Sequence, residues 1–123
     1  MKNILYVILF TGLFSCKKAV PEQKIVFTMD AVNNSIATGT NFPVIVTLTS
    51  AMPTKGIKIE TTTVNQVSGS ALPQGAPYST TSVKNTIVIS GLPRQQYCTV
   101  TIKVTSNNTS TNTDSQSFTV IYK

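Results

Sequence analysis

The feature that most constrains the fold is an alternation of apolar and polar side chains that recurs along residues 24–122. An alternation with a period of two puts every second side chain on the same face of a β-strand, whereas a helix needs a period near 3.6. Strands with one apolar and one polar face are typical of antiparallel sheets. The clearest case is residues 96–106, whose predicted inward side chains are Cys98, Val100, Ile102 and Val104.

The alternation predicts about seven strands separated by turns rich in Gly, Pro and Asn. Residues 31–41 and 107–116 are predicted loops. Pro and Gly in residues 64–84 limit that segment to one or two short edge strands. Two sheets that each have one apolar face bury those faces against each other, which predicts an all-β antiparallel sandwich. The main predicted strands are residues 24–30, 42–50, 56–64, 85–90, 96–106 and 117–122.

The first residues have the organisation of a cleaved secretory signal peptide. Lys2 precedes an apolar stretch at residues 4–14, and small Ser15 directly precedes Cys16. As a helix, a stretch of about 11 residues reaches only about 16 Å, which is well short of the ~30 Å hydrocarbon core of a bilayer. The stretch is therefore a poor permanent membrane span.

The run Leu13-Phe14-Ser15-Cys16 resembles the lipobox of bacterial lipoproteins, and Lys17-Lys18 after it is similar to many Bacteroidota lipoproteins. This resemblance implies cleavage between Ser15 and Cys16, a diacylglyceryl thioether on Cys16 and acylation of the new amine. Two or three acyl chains would hold the protein firmly, because each buried CH₂ contributes about 0.8 kcal/mol.

The lipobox divides the chain into a signal peptide at residues 1–15, a lipidated cysteine with a short tether at residues 16–23 and a domain at residues 24–123. Lys17 after the cysteine is similar to outer-membrane lipoproteins. No acidic cluster follows Lys17-Lys18, which favours the periplasmic face over display on the cell surface.

The domain itself resembles the immunoglobulin/fibronectin-III β-sandwich. The resemblance covers residues 24–123 and is carried by strand spacing and by Gly91-Leu92-Pro93 followed by Tyr97. Strict alternation puts Tyr97 on the face opposite Val100, so either a bulge intervenes or the corner tyrosine of fibronectin-III domains is absent. The chain has no Trp, and Cys98 has no cysteine to pair with if Cys16 carries lipid, so a true immunoglobulin signature is lacking. A Calx-β-like or another bacterial sandwich topology therefore stays open.

The residue content argues against catalysis. The chain has no His, and glycoside hydrolysis usually needs two carboxylates facing a cleft. Cys98 has no His to generate a thiolate and faces the predicted core. The carboxylates fall in separate predicted elements, namely Glu22, Asp30, Glu60 and Asp114. The sequence therefore predicts no enzyme, no catalytic residue and no cofactor.

Metals and nucleic acids are also disfavoured. Transition-metal ligands are lacking, and solvated turns explain Asn112 with Asp114, or Asp30 with Asn33-Asn34, better than calcium does. The formal charge is +6, but the basic residues are scattered and only one is Arg. A nucleic-acid interface needs a concentrated basic patch.

Binding is the function class that remains. Loops at one end of a sandwich often contact partners, and here that end would present residues 51–56 and 107–116. Tyr78 is the loop aromatic that could stack on a sugar. The candidate partner-binding residues are Met52, Lys55, Tyr78, Asn107, Asn108 and Asp114.

The sequence thus predicts a lipid-anchored lipoprotein of the cell envelope whose immunoglobulin-like domain is a non-catalytic interaction or structural module. Its expected partners are the membrane, through the lipid on Cys16, and an unidentified protein or glycan. The alternative is a glycan-binding accessory lipoprotein of a polysaccharide-uptake system, which rests on resemblance alone.

Overall fold

The structure, a computed structural model, describes residues 22–123. The predicted signal peptide, Cys16 and residues 17–21 of the predicted tether lie outside this part of the chain. The described part is all-β, and it contains no helix long and apolar enough to cross a membrane.

Nine strands build the described part of the chain. In chain order they are β1 (Phe27–Met29), β2 (Ser35–Ala37), β3 (Phe42–Leu48), β4 (Ile57–Asn65), β5 (Ala71–Leu72), β6 (Tyr78–Thr80), β7 (Lys84–Ile89), β8 (Tyr97–Ser106) and β9 (Thr113–Tyr122).

The strands form two sheets. The smaller sheet has the order β1-β3-β7, and the larger has the order β2-β9-β8-β4-β5, with β6 paired to the first residues of β4. All strand pairs are antiparallel except β2, which lies parallel to β9. The first strands of the chain are thus divided between the sheets, since β1 joins β3 and β2 joins β9.

The apolar faces of the two sheets pack against each other as the alternation predicts. All four predicted inward residues of β8 are fully buried, Cys98 among them. The smaller sheet contributes side chains of every strand, and the larger sheet contributes β4, β8, β9 and the small side chain of Ala37 in β2. The most deeply buried large side chains are Phe27, Phe118, Ile25, Ile57, Ile59, Ile89, Ile102, Val44, Val46, Val100, Val104 and Val120.

Aromatic and polar contacts also join the sheets. The rings of Phe42 in β3 and Phe118 in β9 lie 6.0 Å apart between centroids at an interplanar angle of 45°, a separation typical of favourable aromatic pairs. The side-chain amide of Gln116 in β9 donates a hydrogen bond to the backbone carbonyl of Phe27 in β1.

Two predicted loops are wrong in part. The described chain has nine strands instead of about seven, because β2 lies in one of these loops and because residues 64–84 hold two short strands, β5 and β6. Residues 31–41 contain β2, in which Ile36 is 56% exposed and small Ala37 is buried, so the sequence shows no large apolar residue on the inward face of this short strand. The loop predicted at 107–116 ends at residue 112. The polar residues from Thr113 onward pair with β8, and the hydroxyls of Thr105 and Thr113 lie 3.0 Å apart.

Tyr97 settles the alternative left open at the start of β8. Its side chain is 38% exposed on the outer face, and the register of β8 with β9 runs without a break from Tyr97 to Thr105. No bulge intervenes, so the corner tyrosine of fibronectin-III domains is absent at this position.

Phe118 is the residue whose truncation we expect to harm the sandwich most. It is 1% exposed and packs against Phe42 across the core. Phe118→Ala should lower the free energy of unfolding by about 3–5 kcal/mol, measured by urea denaturation. Val67→Ala is the control, because Val67 is 74% exposed in a turn and its truncation should change stability by less than about 0.5 kcal/mol. Equal effects of the two variants would contradict this description of the core.

Candidate functional site

Two of the predicted partner-binding loops meet at one end of the sandwich, here called the loop end (residues 49–56 and 107–112). The backbone N–H of Lys55 donates to the side-chain oxygen of Asn108 over 2.9 Å, and the Asn108 amide donates to the Thr54 hydroxyl over 3.0 Å. The Asn107 amide donates to the Lys55 carbonyl over 3.1 Å. The structure therefore brings Lys55, Asn107 and Asn108 together, but the amides of both asparagines bind the neighbouring loop.

Gly56 closes the first of these loops. Its φ is +83°, in the left-handed region that favours glycine, and a Cβ at this position would lie 2.6 Å from the Thr80 carbonyl oxygen. Its own carbonyl accepts a hydrogen bond from the Asn107 backbone N–H at 2.9 Å. The backbone at Gly56 thus fixes β6 on one side and the loop after β8 on the other.

The described chain enters the fold at the same end, through a set of contacts here called the Glu22 clasp (Glu22, Ser106 and Asn112). The Glu22 carboxylate accepts hydrogen bonds from the Asn112 amide at 2.7 Å and from the Ser106 hydroxyl at 2.9 Å. These hydrogen bonds, that of Asn112 above all, hold the pKa of the Glu22 carboxyl below its ordinary value.

Asn112 extends the clasp along the entering segment. Its amide also donates to the Gln23 carbonyl at 2.9 Å, and its side-chain oxygen accepts from the Ile25 backbone N–H at 2.9 Å. The side chain of Gln23 accepts from the backbone N–H of Ala51 at 2.6 Å. Glu22 and Gln23, which the sequence assigned to the tether, are therefore hydrogen-bonded to both loops of the loop end.

The other candidate residues lie elsewhere or are partly buried. Met52 belongs to the loop end but packs against the core. Asp114 is in β9 opposite Val104, so its placement in a loop was wrong. Tyr78 opens the short strand β6, where it pairs with Ile59 of β4 at the edge of the larger sheet.

A second feature is a groove on one flank of the sandwich, between the β7 edge and the segment that leads into β6. It has a volume of about 150 Å³. The Tyr78 ring is 40% exposed there, and burial of its hydroxyl raises the pKa of Tyr78. This edge groove is lined chiefly by Ile59, Gln74, Tyr78, Thr86, Ile87 and Val88.

The groups considered for catalysis have structural surroundings. Cys98 is fully buried, and burial raises the pKa of its thiol, so the thiolate that a nucleophile needs is disfavoured. Asp30 accepts the Ile45 backbone N–H at 2.8 Å, and Glu60 forms an ion pair with Lys58 at 3.3 Å. Glu22 is held in its clasp.

The residues weighed for calcium bind protein groups. Asn33 accepts the Thr119 backbone N–H at 3.2 Å, and the Asn34 backbone N–H donates to the Thr119 hydroxyl at 2.8 Å. Asn112 serves the Glu22 clasp. Within residues 22–123, no group of three or more His, Cys, Asp or Glu side chains could hold a metal ion.

No protein-family model matches this chain, and neither the curated proteins nor the solved structures contain a significant match to it. The candidate sites therefore rest on their geometry. Sequence patterns identified the two loops and Tyr78, but they missed the contacts that Glu22, Asn112 and Gln74 make, because an isolated amide or carboxylate in a polar segment carries no periodic signal.

The Glu22 clasp predicts a pH dependence of stability. The pKa of Glu22 is lower in the folded chain than in the unfolded chain, where the pKa of a glutamate is about 4.3. The ionised carboxylate therefore stabilises the fold above that pH, and this contribution is lost as the pH falls through the lower folded-state pKa. Wild-type protein should lose more stability between neutral pH and about pH 3 than Glu22→Gln does.

Urea denaturation at the two pH values measures this difference. Asn112→Ala removes the main donor to the carboxylate, so its effect at neutral pH should not add to that of Glu22→Gln in the double variant. Strictly additive effects of the two substitutions would show that Glu22 and Asn112 act independently and would contradict the clasp.

Proposed function

We propose that this chain is a lipid-anchored lipoprotein of the cell envelope whose immunoglobulin-like domain serves as a non-catalytic interaction or structural module. The observation that carries the proposal is the Glu22 clasp, because it ties the chain to the fold only a few residues after the lipobox cysteine, Cys16. An outer-membrane location with the domain on the periplasmic face is part of the proposal.

The strand order supports the immunoglobulin-like part of the proposal. In that fold the first, second and fifth strands share one sheet, and the third, sixth and seventh share the other. Here β1, β3 and β7 take the first set of positions, and β4, β8 and β9 take the second. The strands β5 and β6 extend the sheet beyond β4, as an additional strand does in variable-type domains.

The geometry of entry keeps one end of the domain near the bilayer if Cys16 carries lipid. Residues 17–21 separate Cys16 from Glu22, and five extended residues span at most about 18 Å. The loop end would then face the bilayer, with exposed Lys24 and Lys55 on that side. Lysines near an anionic lipid surface are attracted to it. The turns at the opposite end, residues 66–70 and 90–96, would point away.

The lipid anchor is tested by Cys16→Ser. Without the thiol no thioether forms, so we expect the variant to lack acyl chains in intact-mass spectrometry and to leave the membrane fraction. Glu22→Gln is a matched control, because it loosens the entering segment and leaves the lipobox intact, so it should stay in the membrane fraction. Full membrane partitioning of Cys16→Ser would refute the lipid anchor.

The glycan-binding alternative depends on Tyr78. Tyr78 does line the edge groove, and aromatic rings are common in sugar sites. The groove volume of about 150 Å³, however, is below the ~300 Å³ at which small-molecule pockets usually begin. The ring also forms one wall of a narrow groove and offers no open platform. These observations favour the interaction module.

A glycan array probed with the full chain separates the two functions. We expect that no glycan on the array retains the wild-type chain. Retention of a sugar by wild-type protein and its loss in Tyr78→Ala would reverse the ranking, provided that the variant keeps the wild-type urea midpoint.

A further inference from the structure

The smaller sheet ends at β7, and among residues 22–123 no strand pairs with the side of β7 that faces away from β3. The order β1-β3-β7 gives this sheet three strands, whereas five lie side by side in the sheet that covers it. The side chains of Ile59 and Ile87, which belong to opposite sheets, reach the edge groove on that side. The smaller sheet therefore lacks the strand that would cover this flank of the core.

The backbone of β7 presents hydrogen-bonding groups on its unpaired side, away from β3. Successive residues of a strand direct their N–H and C=O groups to opposite sides. The Val83 carbonyl accepts the Leu48 N–H at 2.8 Å, and Asn85, Ile87 and Ile89 continue the pairing with β3. The N–H and C=O groups of Thr86 and Val88 consequently point away from β3, toward the edge groove.

Gln74 shows what chemistry this edge accepts. Its side-chain amide donates to the Ser90 carbonyl at 2.9 Å, and its side-chain oxygen accepts the Ser90 N–H at 3.0 Å. A carboxamide has the same donor and acceptor as a peptide group. Gln74 therefore occupies, at one residue, the place that the backbone of a neighbouring strand would take, and the next two outward-facing residues, Val88 and Thr86, remain open.

We propose that the β7 edge binds an extended polypeptide segment of a partner protein, which adds as a fourth strand to the smaller sheet. Backbone hydrogen bonds to Thr86 and Val88 supply the attachment, and an apolar side chain of the segment enters the groove over Ile59 and Ile87. This inference rests on the proposed role as an interaction module and names its partner class.

Two other occupants fit the edge less well. A sugar offers no row of alternating donors and acceptors at strand spacing, and the groove is small for a sugar ring. A second copy would bring together chains with nine basic and four acidic residues each after loss of Lys2 with the signal peptide, a formal charge of +5, with an exposed Lys84 at the start of β7. Like charges oppose that pairing, and an edge lysine is a known protection against self-association.

The test uses the full chain in detergent and a displayed library of short linear peptides in which apolar residues alternate with Thr or Ser. Backbone amide hydrogen exchange by NMR reads the result. The amides of Ile87 and Ile89 are protected in the free protein because they pair with β3, and those of Thr86 and Val88 exchange freely. A selected peptide should protect Thr86 and Val88 at least tenfold and leave Ile87 unchanged.

Val88→Pro removes one outward N–H donor without touching the bonds to β3, a substitution that edge strands tolerate. We expect it to weaken peptide binding roughly tenfold, about the contribution of one hydrogen bond. Val88→Thr keeps the backbone donor and should bind within about threefold of wild type. If Val88→Pro lowers the urea midpoint, Thr86→Pro replaces it as the test, and the exchange measurement on wild-type protein stands without either variant.

Three results would overturn the proposal. The first is a library that yields no peptide protecting Thr86 and Val88, and the second is a bound sugar that alters the groove without protecting those amides. The third is protection that rises with protein concentration in the absence of peptide, which would assign the edge to a second copy. If a partner protein then crosslinks in cells through another surface, the proposed function as an interaction module still holds. If no surface of the domain gives a crosslink, that proposed function is refuted as well.

Discussion

The fold depends on β8, which among residues 22–123 is the one long strand paired on both sides along almost its whole length. It pairs with β4 from Asn65 to Ile57 and with β9 from Ile121 to Thr113. Its inward side chains from Cys98 to Val104 are fully buried against the smaller sheet. Because register is set by which face is buried, a one-residue slip of β8 would expose all of them at once. The long strands β4 and β9 are thereby held in register, and the short strands β2, β5 and β6 attach to those two.

Side-chain polar groups complete the fold where backbone pairing stops. Gln74 satisfies the end of β7, Asn112 and Glu22 hold the entering segment, and Asn108 joins the two loops of the loop end. Each of these contacts lies near the end of a strand. This explains a chain with few charges and many amides and hydroxyls. Neutral groups can be buried at strand ends at a lower desolvation cost than charged ones.

The parts of the fold that follow from burial could be predicted from the sequence, and the parts that follow from hydrogen bonding could not. The inward face of β8 was predicted residue by residue, since alternation reports which side faces the core. The strand β2 was missed because it exposes the large apolar Ile36 and buries the small Ala37, and the first residues of β9 were missed because Thr113–Gln116 are all polar. Their position is fixed by pairing with distant strands. The same reason hides the Glu22 clasp and the bidentate contact of Gln74, whose partners lie 90 and 16 residues away.

The two candidate surfaces, the loop end and the β7 edge, lie on different sides of the domain because of the direction of the strands. The chain enters at the loop end, and β3, β7 and β8 run between this end and the opposite one, so the β7 edge lies along the flank. With Cys16 lipidated, the two loops of the loop end, which Asn107 and Asn108 hold together, would face the bilayer. Exposed side chains of these loops, such as Lys55, would then lie near the lipid head groups. The flank would stay open to solvent along the length of β7. An added strand there would be held by backbone groups, which every polypeptide carries, so selectivity would fall to the groove beneath it. Its apolar floor, Ile59 and Ile87, and its Tyr78 wall would then decide which side chains of the partner are admitted.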